Sequence, residues 1–170
     1  MTRMTTHNTA APGSLIGACY CVGVLLIAVS ALDYAGTILP AAWGDVGWRY
    51  GAAGLLSGFT LTPLLGGLVL VVAAAWAAHG RFLRVLAVIH LVAAVLLLVL
   101  IAGFSLDALQ ARKDATTELQ RVTEISTLKA LVKLGATVVA VGWIGLSAWR
   151  QARRVGGGGA AAGPGLLVGR

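Results

Sequence analysis

Charge is what this chain of 170 residues has least of: Asp, Glu, Lys and Arg together make up 11% of it, and only six side chains are acidic. A water-soluble domain draws about a quarter of its residues from these four types, so a soluble globular fold is excluded. Cysteine is nearly absent. The two present, Cys19 and Cys21, are two apart on a helix and point to different faces, which argues against a disulfide or a two-thiolate metal site. Glycine occurs 23 times, yet both glycine and proline are missing between Gly103 and Gly135, so helix is expected on both sides of any turn there.

Apolar residues fill the space that charge leaves. They form 58% of the chain, and its mean hydropathy is +0.88. Four stretches of about 20 apolar residues are each long enough to cross a hydrocarbon layer roughly 30 Å thick at about 1.5 Å per residue. The sequence therefore predicts an all-α, polytopic membrane protein with four transmembrane helices in an antiparallel bundle. No soluble domain of about 50 residues or more can be fitted in beside them. The spans fall at about 15–34, 62–78, 82–105 and 129–149, within a transmembrane domain of residues 14–150.

Pro12-Gly13 leads to Ser14 as the N-cap of the first span. That span reads as an uncleaved helix, because Ala31-Leu32-Asp33-Tyr34 makes a poor small-x-small cleavage site. The apolar stretch 51–78 would be about 42 Å long as one helix, which exceeds the hydrocarbon thickness. Pro63 divides it into a short interfacial helix at about 47–58 and the second span. His79-Gly80-Arg81 then makes a turn so short that the second and third spans form an antiparallel hairpin.

From 106 to 127 the composition changes to Asp, Gln, Arg, Lys, Thr and Glu. Thr117-Glu118-Leu119-Gln120 fits a capping box, which puts a turn near 113–116 and a helix from 117 into the fourth span. A helical hairpin is thus expected above the membrane, with residues 1–13 and 151–170 as tails, the second Gly/Ala-rich and flexible. Arg81, Arg84, Arg150, Arg153 and Arg154 crowd the span ends on one side, whereas all the acids (Asp33, Asp45, Asp107, Asp114, Glu118, Glu124) fall on the other. Basic residues near span ends stay cytoplasmic, so both termini are expected inside, in a bacterial inner membrane. Topology thereby accounts for the net charge of +7 without a nucleic-acid partner.

His90 is the ionisable residue near the middle of a span. One reading makes it a tetrapyrrole ligand, for haem or bacteriochlorophyll, with Ala87 and Ala94 leaving room for a flat ring. The other makes it a neutral imidazole hydrogen-bonded across the bundle. Asp33, in the last turn of the first span, opposes the helix dipole, and Arg49 is its expected partner in a structural ion pair. Gly54 with Gly58, Gly66 with Gly67, and the set Gly135, Gly142 and Gly145 match close-packing patterns for helices. No hydroxyl has a nearby His or acid to activate it, no phosphate-cradling loop follows a strand, and no metal-ligand spacing occurs, so neither catalysis nor an obligatory cofactor is expected. Trp43, Trp48, Arg112, Glu118 and Arg121 gather in the loop 40–50 and the hairpin 106–127, and they are the interface candidates.

Five short segments carry a resemblance: Leu32-Asp33, Pro40, Trp48-Arg49, Pro63-Leu64-Leu65-Gly66 and Leu106-Asp107-Ala108-Leu109, in this order over roughly residues 20–150. In them the chain resembles the HpsJ-like membrane proteins, associated with hormogonium polysaccharide and exosortase-linked loci in cyanobacteria. Gly47 stands where that family usually has Pro, and the polar segment is shorter than family stalks. The resemblance implies an accessory role in surface polysaccharide assembly and no catalytic residues. The function expected is that of a non-catalytic accessory or scaffold subunit, in contact with the lipid bilayer and with other membrane proteins of a larger complex. The alternative is a structural subunit of a photosynthetic or respiratory complex in which His90 holds a pigment. A small transporter lacks the paired polar residues that role would need.

Overall fold

The computed structural model describes residues 13–114 and 117–157; within that range the side chains at 114, 117–119 and 157 fall outside the description. The described residues are all-α, in five helices: α1 Gly13–Ile38, α2 Val46–Phe59, α3 Leu61–Trp76, α4 Gly80–Asp114 and α5 Thr117–Gly157. Three of them, α1, α4 and α5, are each long and apolar enough to cross a membrane, and α2 with α3 passes that test as a bent pair. Three or four candidate membrane spans result. One end of the bundle gathers the start of α4 and the end of α5 with their arginines, and the other gathers the acids and the α4–α5 hairpin.

The bend between α2 and α3 is 46°, and Pro63 causes it from within the first turn of α3. Proline has no N–H to give to the carbonyl four residues back, that of Phe59, and its ring collides with it. The helix therefore breaks at Thr60, and the ladder resumes where the Leu64 amide donates to the Thr60 carbonyl at 3.2 Å. Alone, α3 has 16 residues, or about 24 Å, which is short of the hydrocarbon thickness. The interfacial helix expected at 47–58 exists within one residue or so of those bounds. It packs along α4 and α5 and follows on from α3 across the bend.

At the other end of α3 the chain reverses in three residues. The Ala78 amide donates to the Ala75 carbonyl and the His79 amide to the Ala74 carbonyl, at 3.2 and 3.0 Å, while Ala78 takes a φ of 53°. This is the helix-ending motif that satisfies the last carbonyls by a left-handed residue, a place where glycine is usual.

Lipid tails are as apolar as leucine, so these helices gain little by hiding apolar surface from one another and associate through close packing. The buried cluster is accordingly rich in alanine: Leu70, Val71 and Ala74 of α3 meet Leu83, Leu86 and Ala87 of α4 and Ile144, Ala148 and Ala152 of α5. Burial of Ala152 corrects the expectation of a loose tail from 151. The last turns of α5 stay helical through Gly157 because they lie on the start of α4, where Val155 reaches 3.2 Å from the position a β-carbon would take on Gly80.

Candidate functional site

At the hairpin end the polar side chains form a clamp. Asp45 caps α2, its carboxylate accepting from the Gly47 amide at 2.8 Å. This fixes the first turn, so that Trp48, Arg49 and Tyr50 point to three different neighbours. The Trp48 indole N–H donates to the Ile38 carbonyl at the end of α1 at 3.2 Å, and its ring meets Trp43 edge-on with centroids 5.0 Å apart. The Arg49 guanidinium closes as a fork on Asp107 of α4, Nη2 donating to Oδ1 at 2.9 Å and Nε to Oδ2 at 3.2 Å, while Nη1 donates to the Trp43 carbonyl at 2.8 Å. Tyr50 stacks on the buried Phe104 and donates to Thr127 Oγ1 at 2.7 Å, since the Thr127 proton goes to the Thr123 carbonyl.

Arg49 therefore pairs with Asp107, and the expected pair with Asp33 does not form. Helix α1 continues past Asp33 to Ile38, which leaves the Asp33 carboxylate exposed one turn inside the helix, without an ion-pair partner among the described residues. Asp107 was the partner that sequence reasoning missed. The signal was present: stepping along α4 by three and four residues from His90 through Ala94, Leu97, Ile101 and Phe104 leads to Asp107 and Ala108 on the inward stripe.

Among the interface candidates, the clamp brings Trp43 and Trp48 together. Arg112 forms a separate pair across the hairpin, Nη2 to Glu124 Oε1 at 2.8 Å. Arg121 is exposed, and the side chain of Glu118 lies outside the described residues, as do those of its capping-box neighbours Thr117 and Leu119. A groove of about 360 Å³ opens between α4 and α5 at this end, bordered by Leu109, Arg112, Glu124 and Leu128.

His90 occupies a second node, midway along α4. It is buried, and its Nδ1 donates to the Leu86 carbonyl at 2.7 Å, one turn back on its own helix. A carbonyl only accepts, so Nδ1 carries a proton. Nε2 lies 2.5 Å from the point where a β-carbon would sit on Gly67 of α3, and the His90 Cβ lies 3.2 Å from the same point on Gly145 of α5. Gly67 thus leaves no room for a β-carbon and Gly145 little, and three helices close around one imidazole. The hydrogen bond runs within α4 rather than across the bundle, which corrects that part of the neutral-histidine reading. A pocket of about 300 Å³ lined by His90, Gly67, Pro63, Leu97 and Thr137 opens beside the ring. Among the described residues no cluster of three or more metal-ligating side chains occurs, and both cysteines are free.

A third close approach joins α1 to α3. A β-carbon on Gly66 would fall 2.7 Å from the Gly23 carbonyl oxygen, and one on Gly23 would fall 2.7 Å from Leu70 Cγ. Of the glycine patterns singled out in the sequence, Gly66, Gly67 and Gly145 serve such contacts. Gly54, Gly58, Gly135 and Gly142 have nothing within 4 Å at that position. No family model, curated protein or solved structure matches the chain.

Proposed function

We propose that this protein is a non-catalytic membrane accessory subunit whose α4–α5 hairpin, braced by α2, presents a docking surface to a partner outside the bilayer. The observation that carries the reading is the length of the hairpin arms. With 35 and 41 residues, α4 and α5 run to about 52 and 61 Å, well beyond a hydrocarbon layer of about 30 Å. Their projecting ends expose Leu106, Leu109, Val122, Ile125 and Leu128. Apolar side chains displayed above the lipid, on helices held rigid by Arg49–Asp107, Tyr50–Thr127 and Arg112–Glu124, are what a preorganised protein interface requires.

The placement in envelope polysaccharide assembly or export rests on the HpsJ-like resemblance. Trp48-Arg49 and Leu106-Asp107-Ala108-Leu109, two of the five segments that carry the resemblance, lie far apart in the chain and meet in the Arg49–Asp107 fork.

Deletion of 110–123, closed by a Gly/Ser turn, tests the docking role. The spans insert under their own hydropathy, so the shortened protein should reach the membrane at normal yield and lose its native partner on co-purification. Retention of that partner at the wild-type level rejects the hairpin as the docking surface and turns attention to the lipid-embedded helix faces.

A further inference from the structure

The end of the bundle opposite the hairpin carries a cluster of positive charge that the chain has no means to neutralise. Arg81 and Arg84 stand on the first turns of α4, and Arg150, Arg153 and Arg154 on the last turns of α5. All are exposed, and none forms an ion pair among the described residues. No acidic side chain could reach them, because the sequence holds none before Asp33, none between Asp45 and Asp107 and none after Glu124. Every acid lies at the other end of the bundle.

Packing prevents these charges from separating. Ala152 is fully buried against the core, and Val155 lies on Gly80, so the end of α5 is fixed to the start of α4. The Arg84 guanidinium rests over that end, with Nη2 2.8 Å from the position of a β-carbon on Gly156. Arg84 is thereby placed beside the last turns of α5, which carry Arg153 and Arg154. Like charges gathered at one end of a bundle repel unless an anion comes between them. The surroundings say where the anion comes from. Trp76 is exposed at the end of α3, Phe82 is exposed on α4, and Arg153 lies over the Trp149 ring at 5.6 Å from its centroid. Tyr20 joins this group, its hydroxyl 2.9 Å from His79 Nδ1 and its ring edge-on to Phe82. Amphipathic rings of this sort settle at headgroup depth, which puts the arginines level with lipid phosphates.

We infer that the junction of the α4 start and the α5 end is a binding site for the phosphodiester headgroup of an anionic membrane lipid, held by Arg84 and Arg154 with Arg81, Arg150 and Arg153 around them. Arginine suits the task because its fork matches two phosphate oxygens, and basic pockets between transmembrane helices take such headgroups.

The full-length protein in an uncharged detergent provides the test, with bound lipid counted by native mass spectrometry and the unfolding temperature followed during titration. Phosphatidylglycerol and a two-phosphate lipid of the cardiolipin type should bind and raise the unfolding temperature, and phosphatidylcholine and inorganic phosphate should do neither. Each arginine at such a surface strengthens binding about fivefold, so the double variant R84Q/R154Q should bind the anionic lipids roughly 25-fold more weakly. A control variant with the same loss of charge at the other end, R121Q/K129Q, should bind as the wild type does. Equal binding of phosphatidylcholine, an equal response to inorganic phosphate, unchanged binding by R84Q/R154Q, or an equal loss in R121Q/K129Q would each overturn the assignment.

Discussion

Ala78 bears a left-handed φ of 53°, a conformation that costs an L-residue roughly 1–2 kcal/mol and glycine nothing of the kind. Ala78→Gly should therefore stabilise the α3–α4 turn by about 1 kcal/mol, less the extra freedom that glycine gives the unfolded chain. A higher unfolding temperature in detergent would record it. Gly67 makes the opposite case. A methyl group there meets His90 Nε2 at 2.5 Å, and the imidazole is held by its bond to Leu86, so Gly67→Ala should cost about 1–3 kcal/mol by overpacking. Combined with His90→Ala the cost should fall below the sum of the two single changes, because the clash partner is gone. The importance of His90 was legible in the sequence as an ionisable group amid apolar residues. Its use was not, since a close-packing glycine pair on another helix gives no sign of which side chain will lie against it.

At the scale of the helix, the Pro63 break and the positions of α2 and α3 followed from local chemistry, which sequence displays directly. The partner of Arg49 did not. Asp33 and Asp107 both lie near span ends on the acidic side, and choosing between them requires knowing which faces of α1 and α4 the start of α2 packs against. Asp107→Asn should lower the unfolding temperature, since it leaves the Arg49 fork half-satisfied, whereas Asp33→Asn should leave it unchanged. The charge swap R49D/D107R should recover part of the loss, which double-variant thermal unfolding would measure. Equal effects at the two acids would contradict the clamp described here.

For the molecule as a whole, little charge and four apolar runs of helical spanning length pointed to an all-α fold with candidate membrane spans, and the five helices and three or four candidate spans agree with it. Orientation rests on the arginine end. In a background lacking Cys19 and Cys21, a cysteine at Gln120 should react with an impermeant thiol reagent added to intact cells, and one at Arg81 should react only after the cells are opened. Labelling of position 81 from outside would invert the bundle.

The peripheral position of α1 has a consequence for how the protein is made. Its backbone packs chiefly on α3, slightly on α2 and not on α4 or α5. A ribosome releases α1 well before α3, so α1 must wait in the bilayer as a solitary helix while the Gly66 surface that receives it is still being synthesised. The exposed row Val22, Leu25, Val29 and Leu32 suits it to that wait. The tightly packed α4–α5 pair comes last, on to a base of α1 and α3 already assembled. Assembly in the membrane is then expected to proceed from the rim of the bundle inward, and a nascent chain halted after Trp76 should already protect the Gly23–Gly66 contact from a thiol reagent aimed at cysteines placed there.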